Sequence, residues 1–119
     1  MKELAQKYKR QTASRYLPVS SEDITSKIIE SELYAVSPKY DGHFYLLSFD
    51  GTKAKLINHG GNVITDLALL KEATDLLKGK CNDAVIAGEL YLHKEGERTR
   101  SFDMTAVLDE KSSDIHFVA

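Results

Sequence analysis

The chain has 119 residues, of which 42% are hydrophobic, so its size fits one domain with a modest core and excludes a complete multidomain enzyme. Its 16 Lys and Arg residues are outnumbered by 18 Asp and Glu residues, and the formal net charge of −2 provides no overall attraction for nucleic acid. Cys81 is the only cysteine, which excludes an internal disulfide and a cysteine-based metal site and fits a reducing cytoplasm. No segment approaches the roughly 20 apolar residues that span a bilayer, so we expect a soluble protein without membrane contact.

Residues 1–32 are expected to form an N-terminal helical arm and a connector. The segment from Met1 to Arg15 is charged and tolerates a helix, and Pro18 ends any helix that precedes it. Ser20 or Ser21 is suited to cap a second helix with an acidic first turn. We expect that helix to end near residue 32.

Residues 33–119 are expected to form the main unit, which begins with strands. Residues typical of strands lie on both sides of positions 40–42 and predict two strands that meet there, with Pro38 tolerated near a strand end. Asp50-Gly51 predicts a tight hairpin turn between strands at 46–49 and 53–57, because these residues accept a positive φ. Residues 59–62 then predict a loop.

The clearest helix of the chain follows this loop. Asp66 is the predicted N-cap and Gly79 the predicted stop. The apolar stripe between them consists of Leu67, Leu69, Leu70, Ala73, Leu76 and Leu77.

The C-terminal third predicts a strand, a turn, a helix and a last strand. The strand covers residues 84–92 and is expected to be buried at its start, and the turn lies at 94–97. Ser101 is the predicted cap of a helix that runs to Leu108, and residues 115–118 predict the last strand. Together these elements predict an α+β domain with a largely antiparallel sheet and helices packed on it.

Two short words in this pattern carry the most chemical information, namely Lys39-Tyr40-Asp41-Gly42 and Gly88-Glu89-Leu90. A lysine beside a glycine at a strand end can face a ligand that approaches the backbone closely, and nearby carboxylates can contact a metal or a ribose. Taken alone, the first word is better explained by an ordinary β-turn with a solvated lysine. The two words together favour a nucleotide site.

The order of these words and elements resembles that of the covalent nucleotidyltransferase superfamily, above all the adenylation domain of ATP-dependent DNA ligases. The resemblance covers about Val36 to Ala119 and implies the N-terminal part of such a domain, with further motifs beyond Ala119. It implies that Lys39 is the catalytic nucleophile and that ATP is the AMP donor, with Mg²⁺ as a cofactor. The implied partner is nicked or broken DNA, or RNA.

The resemblance also implies roles for the residues around Lys39. Asp41 and Gly42 would bind the nucleotide as part of the lysine word. His59 and Gly61 lie where the family has a nucleotide-binding loop. Glu89 would serve the ribose and the metal.

Three departures from the family pattern bear on these roles. Ser37 stands where ligases usually have a glutamate, and Phe44 and His59 stand where they usually have arginines. Two positive charges expected near the nucleotide are therefore missing. An RNA ligase, a capping-type nucleotidyltransferase and a non-catalytic binding module of the same fold remain alternatives, as does a plain structural domain.

Overall fold

The fold was analysed on a computed structural model, which describes residues 1–13, 15, 17–28, 35–97 and 99–119. Five strands form one sheet in the order β3-β2-β1-β4-β5, and every neighbouring pair is antiparallel. The strands are β1 (His43–Phe49), β2 (Ala54–Asn58), β3 (Val63–Ile64), β4 (Ala84–Leu92) and β5 (Ile115–Val118). The helices are α1 (Lys2–Ala13), α2 (Ile24–Lys27), α3 (Ala68–Leu77) and α4 (Ser101–Leu108), with a 3-10 turn at Ser21–Asp23. This confirms the α+β class and the antiparallel sheet.

Two α-helices lie in the described part of the predicted arm and connector. The first ends at Ala13, and the second ends at Lys27 because Ile28 takes an extended conformation, with φ −106° and ψ 96°. The predicted end near residue 32 lies outside the described residues. No helix of the described part is long and apolar enough to cross a membrane.

The strand predicted before Tyr40 is absent from the described part of its range, since residues 35–42 form no regular structure. The pairing explains this correction. The two edges of β1 are already occupied by β2 and β4, so β1 offers no edge to a further strand. The preceding segment therefore runs exposed along the end of the sheet.

The hairpin turn between β1 and β2 is confirmed. Gly51 has φ +88°, and the Asp50 amide donates to the carbonyl of Lys53 at 3.3 Å. The Asp50 carboxylate accepts hydrogen bonds from Thr52 and Lys53, and these bonds lower its pKa to about 2.

Two helix caps differ from the predicted ones. Helix α3 begins after Leu67, and the Asp66 carboxylate instead pairs with Lys111, whose hydrogen bond lowers the pKa of Asp66. Helix α4 begins after Arg100, whose amide donates to the Asp103 carboxylate at 2.8 Å. At α3 the N-cap residue Leu67 makes no side-chain cap bond, and at α4 the Asp103 carboxylate binds the amide of the N-cap residue.

Alternation along the strands separates two faces of the sheet. The core face carries Tyr45, Leu47 and Phe49 of β1 together with Leu56 and Leu90, all of them buried, and α3 and α4 pack on it. Burial on β4 is concentrated at its end, where Leu90 and Leu92 are buried, and not at its start as predicted, because Val85 is 48% exposed.

The opposite face, here called the second face, carries Phe44 and Leu46 of β1 and Glu89 and Tyr91 of β4. Helix α1 lies against β1 and β2 on this side. The Tyr8 ring stacks on Phe44 with centroids 5.5 Å apart, and Ala5 is fully buried. The helix thus covers one half of the second face and leaves the half formed by β4 and β5.

Candidate functional site

The two words that carry the chemical signal meet at one end of the sheet. The Gly42 amide donates a hydrogen bond to the Glu89 carboxylate oxygen Oε2 at 3.0 Å, across 47 positions of the chain. The register explains the contact, because Gly42 directly precedes β1 and Phe44 of β1 pairs with Glu89 of β4. A half-buried carboxylate thereby gains the partner that burial demands.

Both glycines of these words lie where a side chain has no room. A Cβ on Gly42 would collide with the carbonyl oxygen of Leu90, and a Cβ on Gly88 would collide with the Val118 carbonyl oxygen and the Phe117 ring. The backbone of the lysine word therefore lies directly against β4. This close approach requires glycine at both positions.

Lys39 and Asp41 line an open cavity of about 470 Å³ beyond the ends of β4 and of the lysine word. Lys39 is exposed and makes no hydrogen bond or ion pair with any described residue. Tyr91, His93 and Thr99 line the other side of the cavity. The cavity leaves Lys39 free to meet a ligand from solvent.

Arg100 reaches the same place from the start of α4. Its guanidinium atom Nη1 lies 3.8 Å from Asp41 Oδ2, and the two side chains are 48% and 44% exposed. Sequence analysis missed this residue, since it stands 61 positions after Lys39 and belongs to neither word. The sequence feature that could have identified Arg100 is a cation in the connection between β4, which carries Glu89, and α4.

A row of four rings extends from the lysine word along the open half of the second face. Tyr40 lies 4.3 Å from Tyr91, Tyr91 lies 5.8 Å from His116, and His116 lies 5.3 Å from His93, all between ring centroids. Burial, followed by the proximity of Tyr40, raises the pKa of Tyr91. Tyr40 therefore packs in this row and is 38% exposed.

His59 and Gly61 lie in the turn between β2 and β3, at the same end of the sheet as Gly42. Gly61 has φ +92°, and a Cβ there would lie 2.6 Å from Lys2 Cδ of α1. His59 is exposed. The predicted nucleotide loop is thus packed against α1, while Gly42 and Glu89 contact each other.

The carboxylates present fit a role toward Mg²⁺, which proteins usually bind through one or two carboxylates together with substrate phosphates. One carboxylate oxygen of Glu89 accepts the hydrogen bond from Gly42, and the other oxygen retains its capacity to accept. Among the described residues, no group of three or more His, Cys, Asp or Glu side chains converges as a metal site of its own. A cation here would therefore depend on ligand phosphates for further coordination.

Comparisons with protein-family models, curated proteins and solved structures find no match for this chain.

Proposed function

We propose that this chain carries nucleotide-binding and nucleophilic residues of an ATP-dependent polynucleotide ligase, a DNA ligase, with Lys39 as the residue that takes AMP. The observation that supports it best is the 3.0 Å hydrogen bond from the Gly42 amide to Glu89. Two words that are separate in sequence and weak alone become one site through this bond.

In the proposed reaction the neutral amine of Lys39 attacks the α-phosphorus of ATP. A nitrogen–phosphorus bond forms, the bond from the α-phosphorus to the bridging oxygen breaks, pyrophosphate leaves, and the amine loses one proton. A 5′-phosphate oxygen of the polynucleotide then displaces Lys39 and takes the AMP. The 3′-hydroxyl finally attacks that 5′-phosphate, releases AMP and seals the strand. Covalent catalysis thus divides one difficult ligation into easier steps.

The surrounding residues have separate tasks in this proposal. Gly42 lets the lysine word approach β4 closely, and Glu89 accepts the hydrogen bond that holds this word against β4 and would face the ribose. Glu89 and Asp41 are the carboxylates that would hold Mg²⁺, which supplies positive charge for the phosphates when bound. Since Lys39 is exposed, desolvation of its amine has to come from the bound nucleotide.

A second candidate is a non-catalytic binding module of the same fold. The observation that favours it is the stack of Tyr8 on Phe44, because an aromatic pair stands beside Glu89 where ligases usually place an arginine. His59 likewise lacks the permanent charge of an arginine. A module of this kind would bind ATP without reacting with it.

Intact-mass spectrometry after incubation with ATP and Mg²⁺ tests the proposal, on this chain and on the full-length protein where the natural chain continues. We expect a gain of one AMP that disappears with Lys39→Ala and persists with Lys53→Ala, an exposed lysine at the opposite end of β1. Incubation with GTP in parallel identifies a capping-type enzyme, and nicked DNA and RNA duplexes distinguish the polynucleotide. ATP binding without any adduct on the full-length protein would favour the binding module.

A further inference from the structure

Arg100 has a fixed backbone and a weakly engaged side chain. On one side, the Thr99 hydroxyl donates to the Leu92 carbonyl at 2.5 Å. On the other, the Arg100 amide donates to Asp103 at 2.8 Å, and the Asp103 amide donates to the Arg100 carbonyl at 3.0 Å. The start of α4 therefore holds the root of this side chain in place beside the candidate site.

The guanidinium itself is not satisfied by this arrangement. Its only ion pair with a described residue is the one to Asp41, and at 3.8 Å that contact is too long for a hydrogen bond. A guanidinium carries five N–H donors in a planar fork that matches the oxygens of a phosphate. Because both partners are about half exposed, the pair is weak and a doubly charged oxyanion competes well with Asp41.

Arg100 brings a positive charge to a site that lacks the two expected arginines. The two positions where a cation is expected hold Phe44, which stacks on Tyr8, and His59, which lies in the turn next to α1. Arg100 instead approaches from α4, and the residue it reaches is two positions from Lys39. The open cavity that Lys39 and Asp41 line is also lined by Thr99, the residue directly before Arg100, so phosphates bound in that cavity would lie near the guanidinium.

We propose that Arg100 is a phosphate-binding cation of this site, beside the lysines that line the cavity, and that it exchanges Asp41 for the polyphosphate of the nucleotide. This inference rests on the proposed function. The ligand chemistry is a phosphoryl oxyanion, which either a nucleoside triphosphate or the 5′-phosphate of a polynucleotide supplies. Because Arg100 lies close to the lysine word, we assign the triphosphate as its ligand.

Calorimetric titration with inorganic tripolyphosphate tests this without any reaction. We expect Arg100→Ala to weaken binding about ten- to a hundredfold, the range that charge-assisted hydrogen bonds carry. Arg100→Lys should restore part of the affinity, and Lys53→Ala, which removes a positive charge at the far end of the sheet, should leave it unchanged. Circular dichroism of each variant verifies the fold, and Arg100→Gln, which keeps a polar side chain without charge, replaces the alanine variant if that one fails to fold.

The outcomes separate this inference from the proposed function. Tripolyphosphate binding that is absent from the wild type, or unaltered by Arg100→Ala and Arg100→Gln, overturns the role of Arg100. An effect confined to a 5′-phosphorylated oligonucleotide, measured against its 5′-hydroxyl counterpart, overturns it too, because the phosphate then belongs to the polynucleotide end. If Arg100→Ala loses tripolyphosphate binding and the wild type forms no AMP adduct, the role of Arg100 is supported and the ligase proposal is contradicted.

Where the wild type forms the adduct, its rate provides a second readout. Arg100→Ala should raise the ATP concentration needed for the half-maximal rate by a similar factor. An unchanged ATP dependence overturns the inference. A merely structural role for Arg100 would lower the amount of active protein and leave this dependence in place.

Discussion

Leu46 and Leu47 are neighbours on β1, yet their side chains lie on opposite faces of the sheet. Leu47 belongs to the continuous apolar cluster under α3 and α4. Leu46 lies on the second face, which α1 covers over β1 and β2 and which continues over β4 as Glu89, Tyr91 and the ring row. The core face therefore carries the larger apolar cluster, and the part of the second face that α1 leaves open provides polar and aromatic groups of the candidate site.

The largest expected effect tests the core face. Leu56 is fully buried there, so Leu56→Ala should lower the free energy of unfolding by about 2–5 kcal/mol through lost burial and a cavity. Val85, on the second face, is 48% exposed, and Val85→Ala should change the free energy of unfolding by no more than about 0.5 kcal/mol. Urea unfolding measures both free-energy changes. Equal effects would contradict the difference between the buried core face and the open part of the second face.

A smaller effect tests how α1 is attached. Tyr8→Ala removes the stack on Phe44, and we expect the ring contact to contribute about 0.5–1.5 kcal/mol to the free energy of unfolding beyond buried area. A double-mutant cycle with Phe44→Ala isolates that contribution. Hydrogen exchange of the α1 amides should accelerate in the single variant. Additive effects of the two substitutions would show that the rings do not couple.

The smallest effect compares one tyrosine from each face. Burial raises the pKa of Tyr45 on the core face, where a hydrogen bond from Asn58 opposes it, and burial and then Tyr40 raise the pKa of Tyr91. Tyr40→Phe should therefore lower the pKa of Tyr91 toward its ordinary value of 10.0 and leave that of Tyr45 in place. NMR titration of ring-labelled tyrosine measures both, and an equal shift at Tyr45 would contradict the assignment of Tyr40 to the second face.

The sign of the accompanying stability change follows from the raised pKa. In the folded state Tyr91 keeps its proton above pH 10.0, where the unfolded chain loses it. The stability that this provides is complete below pH 10.0 and is lost as the pH rises toward the folded pKa. Tyr40→Phe should lower the pH at which this loss is completed.

The hairpin, β4 and β5 could be predicted because their signals are local, whereas the strand expected before Tyr40 does not form in its described residues. Alternating β-forming residues marked β4 and β5 with their observed bounds, and Asp50-Gly51 marked the turn. The helix caps could not be predicted in the same way. Asp66 is a good cap residue in isolation, but Lys111, which is distant in sequence, takes its carboxylate.

In the candidate site, the residues of the two words could be predicted from local sequence, but their contacts could not. The two words could be recognised in the chain because each is a short local pattern of charged residues and glycine. Their contact at Gly42 and Glu89 depends on the register of β1 and β4. Local sequence thus determined the element types, the hairpin and the residues with chemical capacity. Tertiary packing alone decided that Arg100 meets Asp41 and that α1 lies over Phe44, because both contacts join segments with no shared local pattern.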